Sequence, residues 1–186
     1  MNYKYIGALG LLMLIVSRFL LMNGTEFINA QKPFDFAHLL MLVGAVLTIS
    51  FSYAFPKNIF NTIATPITLL GIIAHIGMCS IDFVFWSFGD DYSSRDELLG
   101  HLINTPSIWL TFFIVGPALL FIGLSTQVWY FIKSNTMMSI FTIIGSMAIG
   151  AGQLIWRSEL IVISGYLVFS IGLIYLTFVN KSGLKD

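Results

Sequence analysis

Apolar residues fill this chain in six long runs, and short polar segments separate the runs. The runs lie near Tyr5–Met22, Phe36–Phe55, Ile63–Trp86, Ile108–Ile132, Met137–Trp156 and Leu160–Val179. A helix needs about 20 mostly apolar residues to cross a bilayer, and every run is close to that length. The pattern predicts an all-α, polytopic membrane protein in which residues 1–186 form one domain, a single bundle of six transmembrane helices.

Composition supports a lipid environment and restricts the classes of function. Of the 186 residues, 57% are apolar and 10% are charged, and the mean hydropathy is +0.88. In soluble domains about a quarter of all residues are charged. The formal net charge is zero, which argues against a basic surface for nucleic acid. The lipid bilayer is therefore the expected partner, and nucleic acid is not.

The ends of the early runs carry helix-terminal residues. Asn23-Gly24 is typical of a helix end, and Asp35 is a suitable N-cap for the next helix. Arg18 interrupts the first run, and no small-residue cleavage site follows it directly. We therefore interpret the first run as a retained helix rather than as a secretory signal.

Charged residues divide unevenly once the runs are threaded alternately through a membrane. One side carries Lys4, Lys57, Lys133, Lys181, Lys185 and Asp186, and the other carries Arg18, Lys32, Arg95, Arg157 and the remaining acidic residues. Short cytoplasmic loops are enriched in Lys and Arg. We therefore expect a multi-pass cell-membrane protein with both termini in the cytoplasm and the acidic loops outside.

The third loop is the longest and the most polar connection. Ser94 and Glu97 have the spacing of a capping box, which predicts a short amphipathic helix after it. Its apolar side would carry Leu98, Leu99, Leu102 and Ile103. We expect this helix to lie flat at the interface and to cover the gap between the third and fifth spans.

Polar side chains recur at helical spacing in the third and fifth spans. His75 and Asp82 share one face of the third span, and Gln153 and Arg157 share one face of the fifth. An ionisable group inside a span costs about 2.5 to 3.5 kcal/mol unless it finds a partner or water. We expect Asp82 to pair with Arg157 or with Arg18, either as a structural salt bridge or as part of a ligand site.

These positions define a candidate pocket between the third and fifth spans. Six residues are the predicted ligand-binding groups: Asp82, His75, Arg157, Gln153, Arg18 and His101. No known nucleophile, zinc-protease or phosphate-binding motif is present in the sequence. No catalytic residue can therefore be assigned from a motif.

Metal and haem sites receive weaker support from residue spacing. His75 and Asp82 are separated by about 10 Å along a helix, too far to bind one ion. His75 and Cys79 are spaced suitably, but further ligands would have to come from His38 or His101. The depths of His38 and His75 do not match for haem ligation. We therefore predict no cofactor, with a metal ion as the minor alternative.

A weak internal repeat relates the third and fifth spans. Residues 61–74 align with residues 135–148 without a gap, and Thr68, Gly71 and Ala74 coincide with Thr142, Gly145 and Ala148. The preceding spans partly follow, because residues 42–45 resemble residues 114–117, so spans two and three would duplicate spans four and five. Parallel duplicated hairpins occur in several transporters. The alternative is a chance likeness, because membrane helices draw on few residue types.

Three functions are compatible with these patterns. The first is binding, and transport, of a small molecule or lipid in an outward-facing pocket. The second is an intramembrane enzyme that acts on a lipid-like substrate, with His75 or His101 and Asp82 as an acid/base pair. The third is a non-catalytic subunit or assembly factor of a membrane complex, with a homo-oligomer or another membrane protein as partner.

Overall fold

The computed structural model describes residues 2–179, and over that range it contains helices and no β-strand. We number the helices α1 Tyr3–Leu21, α2 Gly24–Ala30, α3 Phe36–Ala54, α4 Ile59–Ser87, α5 Tyr92–Ile103, α6 Pro106–Phe131, α7 Thr136–Trp156 and α8 Glu159–Val179. All except α2 and α5 are long and apolar enough to cross a membrane. The predicted six-span, all-α fold is confirmed, with span ends shifted by a few residues.

The six spans form a closed ring in chain order. The most extensive packing joins α1 to α3, α4 to α6 and α7 to α8, and smaller contacts join α3 to α4, α6 to α7 and α8 to α1. Buried side chains such as Leu14, Leu124 and Phe169 fill the core, while Leu70 and Met147 are exposed on the outside. Exposed apolar side chains are suited to contact with lipid tails, because the tails are equally apolar.

The α4–α6 hairpin is held by close contact between helix backbones. A Cβ atom placed on Gly71 would lie 2.2 Å from the backbone nitrogen of Leu120. A Cβ on Gly123 would lie 2.3 Å from the hydroxyl of Thr68. No side chain fits at either glycine, so α4 and α6 approach as membrane helices do at small residues.

The α7–α8 hairpin repeats this contact. A Cβ on Gly145 would lie 2.4 Å from the backbone nitrogen of Phe169, and a Cβ on Gly172 would lie 2.3 Å from the hydroxyl of Thr142. Gly145 and Thr142 are the residues that align with Gly71 and Thr68 in the sequence. The aligned positions therefore occupy the same place in both hairpins.

The α6 and α7 helices each contain a π-helical segment, at Leu110–Val115 and Gly152–Trp156. Pro117 follows the first segment and has no backbone N–H, which leaves the carbonyl of Phe113 without its usual donor. The hydrophobic pattern of the sequence did not predict either segment. π-Helical turns inside α-helices occur frequently at functional sites.

The two short helices lie in the connections that the sequence placed on the acidic side. α5 begins at Tyr92, and the carboxylate of Asp91 accepts a hydrogen bond from the backbone N–H of Ser94 at 3.1 Å. The predicted capping box at Ser94 is therefore wrong, because Asp91 caps the helix one turn earlier. The expected amphipathic helix is present, with Leu102 buried. α2 was not predicted.

Candidate functional site

The three connections that carry most of the acidic residues lie at one end of the ring. Arg95 of α5 shares a cavity with Gly24, and Ile103 of α5 shares another cavity with Arg157. We name this end, formed by residues 22–35, 88–105 and 157–158, the acidic face. Lys181, Lys185 and Asp186, which entered the predicted orientation, lie outside the described residues.

His38 lies between two carboxylates at the acidic face. Its Nδ1 is 2.5 Å from Oδ2 of Asp35, and its Nε2 is 3.4 Å from Oδ2 of Asp82. Asp35 also accepts a hydrogen bond from the backbone N–H of His38 at 3.0 Å and thereby caps α3, as expected. We name these three residues the carboxylate–histidine cluster. It fixes the start of α3 against α4.

The cluster corrects the expected pairing of Asp82. Among residues 2–179 no carboxylate lies within salt-bridge distance of Arg18 or Arg157, and Asp82 contacts His38 instead. The physical reason is the order of the spans in the ring. α4 packs on α3, whereas α6 separates it from α7, and Arg157 lies just after the end of α7. Arg157 is also exposed.

A cavity of about 180 Å³ lies beside the cluster and is also lined by Arg95, Asn29 and Trp86. The Asn29 Nδ2 and Trp86 Nε1 atoms are buried without a hydrogen-bond partner in the described protein. The Nζ atom of Lys32 lies 4.8 Å from the centre of the Trp86 ring. The cavity is large enough for several water molecules to satisfy these neutral donors.

A second, smaller cavity lies inside the ring of spans. It is lined by Arg18 of α1, His75 of α4 and Gln153 of α7, together with apolar side chains of α6 such as Phe113 and Phe121. We name it the inner cavity. Its volume is about 50 Å³, which gives room for a few water molecules or for one small polar group. Three of the six predicted ligand-binding residues therefore meet here.

Arg18 has no counter-charge in this position. Its guanidinium lies 5.3 Å from the centre of the Tyr166 ring, which is 1% exposed. The Nε atom of Arg18 and the hydroxyl of Tyr166 are both buried and have no hydrogen-bond partner among residues 2–179. Buried donors without partners are rare in proteins, because each one loses its hydrogen bonds to water. Of the nine buried side-chain nitrogen and oxygen atoms without a partner in the described residues, only the Arg18 nitrogen belongs to a charged side chain.

His75 is held in a fixed orientation beside them. Its Nδ1 donates a hydrogen bond to the carbonyl of Gly71 at 2.9 Å, and its ring lies against Phe121 with centroids 6.2 Å apart. The carbonyl can only accept, so the neutral ring keeps Nε2 as an acceptor. His75 therefore presents a hydrogen-bond acceptor on the other edge of its ring.

A third cavity, of about 560 Å³, adjoins the inner cavity and reaches the acidic face. We name it the outer cavity. It shares Phe113, Ile114, Gln153 and Leu154 with the inner cavity and is also lined by Ile103, Trp109, Gly152, Arg157 and Glu159. Its walls include residues of both π-helical segments. Ile103 of α5 also lines this cavity, but no residue of the third span, α4, does, so the cavity is not the gap between the third and fifth spans that α5 was expected to cover.

The backbone at Arg157 is strained at the mouth of the outer cavity. Arg157 has a φ angle of 47°, in the left-handed region, and its N–H and that of Ser158 both donate to the carbonyl of Gly152. Glycine or asparagine normally occupies such a helix-terminal position. A non-glycine residue in this conformation costs about 1 to 3 kcal/mol, and such residues concentrate at functional sites.

The remaining candidates lie apart from the two joined cavities. Asp82 lines the cavity of the carboxylate–histidine cluster, and His101 is exposed on α5. Cys79 is buried and free. Within residues 2–179 no group of three His, Cys, Asp or Glu side chains is placed to hold a metal ion. The cluster itself uses its two imidazole nitrogens on opposite carboxylates, so its atoms do not converge.

Sequence reasoning missed two participants. Tyr166 lies in a continuous apolar run, and nothing in its neighbourhood distinguishes it from a lipid-facing tyrosine. His38 was considered only as a metal or haem ligand, although Asp35 three residues earlier is a common capping arrangement. That spacing could have placed the imidazole beside the capping carboxylate.

No family model, no curated protein and no solved structure matches this chain.

Proposed function

We propose that this protein binds a small molecule or a lipid inside its ring of spans, in a pocket that faces the outside of the cell membrane. One observation carries the proposal: Arg18, His75 and Gln153 come from three different spans and line one cavity. An ionisable residue inside a span is costly and usually marks a functional site. Arg18 has no carboxylate partner among the described residues that would explain it as structural.

The size and position of the joined cavities support this proposal. The outer cavity of about 560 Å³ falls in the range of small-molecule sites, about 300 to 1,000 Å³. Its lining combines apolar side chains such as Trp109 and Phe113 with polar side chains such as Arg157, and polar groups of this kind fix the orientation of a ligand. Lys57 and Lys133 lie in the loops at the opposite end of the spans, which supports an outward orientation of the acidic face.

Filling the inner cavity tests the proposal. Gly150 lines it, and a Cβ placed there would meet no atom within 4 Å, so Gly150→Leu occupies the cavity without a clash at its Cβ. Gly100→Leu in α5 is the matched control, because a Cβ there also meets open space. Native mass spectrometry of protein purified from its own membrane should find a bound mass on the wild type and on Gly100→Leu.

The same measurement should find no bound mass on Gly150→Leu. Retention of the same mass by this variant would overturn the pocket. Stable copurification with another membrane protein, without any bound small molecule, would favour a subunit role instead.

Transport is the extension that the two hairpins support. The glycine and threonine contacts of α4–α6 recur in α7–α8 at aligned positions, so the pairing supported here lies one span later than the hairpins expected from the sequence. In a duplicated unit Gly71→Ala and Gly145→Ala should lower the free energy of unfolding by similar amounts, about 1 to 3 kcal/mol each. A loss confined to one hairpin, measured by denaturation in mixed micelles, would contradict the repeat.

Acid/base catalysis on a lipid-like substrate is the second candidate function. The observation that favours it is His38 between two carboxylates beside a cavity of about 180 Å³. This arrangement differs from the predicted pair of His75 or His101 with Asp82. Incubation with a membrane lipid extract should then yield a new product by mass spectrometry, absent with His38→Gln. No product from the wild type would remove this candidate.

A further inference from the structure

The inner cavity is lined by one cation, Arg18, and by no acidic residue among residues 2–179. The Nε atom of Arg18 has no hydrogen-bond partner, and the ring of Tyr166, which lies against the guanidinium, carries a buried hydroxyl without a partner. We infer that the ligand carries one anionic head group, a carboxylate or a phosphate, that binds Arg18 in the inner cavity, and an apolar body that lies in the outer cavity. This inference rests on the proposed function and names its ligand class.

Charge balance supports an anion. The nearest acidic cluster is committed elsewhere, because Asp35 and Asp82 both contact His38. Glu159 lines the outer cavity together with Arg157, and no carboxylate of the described residues lies within salt-bridge distance of Arg18. An anionic ligand would supply the missing counter-charge. Hydrogen bonds between a guanidinium and a carboxylate or phosphate are among the strongest in proteins.

The surroundings of Tyr166 strengthen the argument. Phe121 lies edge-on to the Tyr166 ring with centroids 5.3 Å apart, and Phe121 also lines the inner cavity. Tyr166 has no water-filled surface around its hydroxyl, since the residue is 1% exposed. An electrostatic contact made in such apolar surroundings is stronger than the same contact in water.

The sizes of the two cavities suit two different parts of the ligand, a small head group and a larger apolar body. The inner cavity of about 50 Å³ accepts a group the size of a few water molecules, which suits a carboxylate or a phosphate. The outer cavity is about 560 Å³ and is lined by Trp109, Phe113, Leu154 and Ile103. An amphiphilic anion therefore fits the pair of cavities better than a free inorganic ion.

Matched amphiphiles test the inference. The protein is reconstituted in nanodiscs of zwitterionic lipid, and saturable binding of radiolabelled decanoate is measured against empty nanodiscs. Unlabelled decanoate and decyl phosphate should displace the label. Decanol and decyltrimethylammonium, which have the same body but no negative charge, should not. Equal displacement by either of these two would overturn the anionic head group.

Free anions form the second arm of the competition. Acetate and inorganic phosphate carry the head group without the apolar body. They should displace labelled decanoate only at far higher concentrations than decanoate itself. Displacement at the same concentration would assign the site to a free small anion and overturn the apolar body.

Variants connect the binding to Arg18 and to the aromatic ring that lies against it. Arg18→Gln should raise the Kd of decanoate about 10- to 100-fold, and Tyr166→Phe, which removes the hydroxyl of that ring, should raise it about 3- to 10-fold. Arg18→Lys keeps the charge and should retain more of the binding than Arg18→Gln. The control is Arg95→Gln, which removes a cation from the other cavity and should leave the Kd unchanged. An unchanged Kd in Arg18→Gln would overturn the inference.

The decanoate experiment can give a negative result while the proposed function still holds. If a bound mass is lost in Gly150→Leu but decanoate does not bind, the pocket stands and its ligand is not an amphiphilic anion. If no bound mass exists and decanoate does not bind, the pocket itself is wrong. Tyr166→Phe removes a single oxygen atom, so its effect can be read even if Arg18 variants do not fold.

Discussion

Two polar regions of this bundle differ in whether their buried polar groups have partners within the protein. In the carboxylate–histidine cluster, His38 contacts both Asp35 and Asp82 across two helices. At the inner cavity, Arg18 and the adjoining Tyr166 have buried donors without any partner among residues 2–179. A polar group whose partners belong to the protein stabilises the fold, whereas one without partners costs stability and is retained for another reason.

The comparison separates residues that the sequence had grouped together. Asp82 and Arg18 were predicted to line the same pocket, yet they lie in different cavities. Breaking a partnered group leaves the others buried and unsatisfied, which is strongly destabilising. Removing an unpartnered group removes its cost. Substitutions in the two regions should therefore change stability with opposite signs.

The largest loss is expected at Asp35, whose side chain is fully buried. Asp35→Ala removes both the cap of α3 and the partner of His38 Nδ1. The free energy of unfolding should fall by about 2 to 4 kcal/mol, measured by denaturation in mixed micelles. Asp35→Asn keeps an oxygen for the cap and should lose less. Equal losses in both variants would show that the negative charge, not the cap, is decisive.

The opposite sign is expected at Arg18. Arg18→Met keeps most of the volume and removes a guanidinium that has no carboxylate partner in the described protein. The free energy of unfolding should rise by about 1 to 2 kcal/mol in ligand-free protein, while decanoate binding is lost. Denaturation in mixed micelles also measures this change in the free energy of unfolding. A loss as large as that of Asp35→Ala would mean that Arg18 is structural and that the two regions do not differ.

Much of the fold could be predicted because it depends on local pattern. Run length and apolarity locate six spans, and Asp35 marks the start of α3. The π-helical segments could not be predicted, because Leu110–Val115 has the same apolar character as an ordinary helix. Their position depends on which backbone N–H groups form hydrogen bonds, and a hydrophobic pattern carries no information about those bonds.

The candidate site could be predicted only in part, because partners depend on the order of the ring. The helical spacing selected His75 and Gln153, and these two residues line one cavity. The spacing could not show that Asp82 faces His38 on a different span. Long-range contacts of this kind arise from which helices pack together, and a single sequence does not specify that.

A smaller effect is expected at Asp82, which is partly exposed at 20% and contacts His38 at 3.4 Å. Asp82→Asn keeps the shape and an acceptor, so the free energy of unfolding should fall by about 1 kcal/mol. Decanoate binding should stay the same, because Asp82 lines the other cavity. Loss of decanoate binding in this variant would mean that the two regions form one ligand site, and the contrast drawn between them would be wrong.

The smallest effect concerns α5, which reaches both regions, with Arg95 beside the cluster and Ile103 beside the outer cavity. Hydrogen bonds from the side chain and backbone N–H of Ser94 lower the pKa of Asp91 below its ordinary range. The ordinary value is about 3.9. The charged cap thus supports α5 fully above that value, and the support is lost as the pH falls through the lowered pKa of the folded state.

Hydrogen exchange of the α5 amides measures this support and compares the two regions at once. At neutral pH the amides should exchange faster in Asp91→Ala than in the wild type, and this difference should vanish in acid, below the ordinary range of aspartate. Decanoate at neutral pH should slow exchange near Ile103 and leave the turn at Arg95 unchanged, because only Ile103 lines the outer cavity. Slower exchange at Arg95 as well would mean that α5 closes as one body over both cavities, and that ligand binding also engages the carboxylate–histidine cluster.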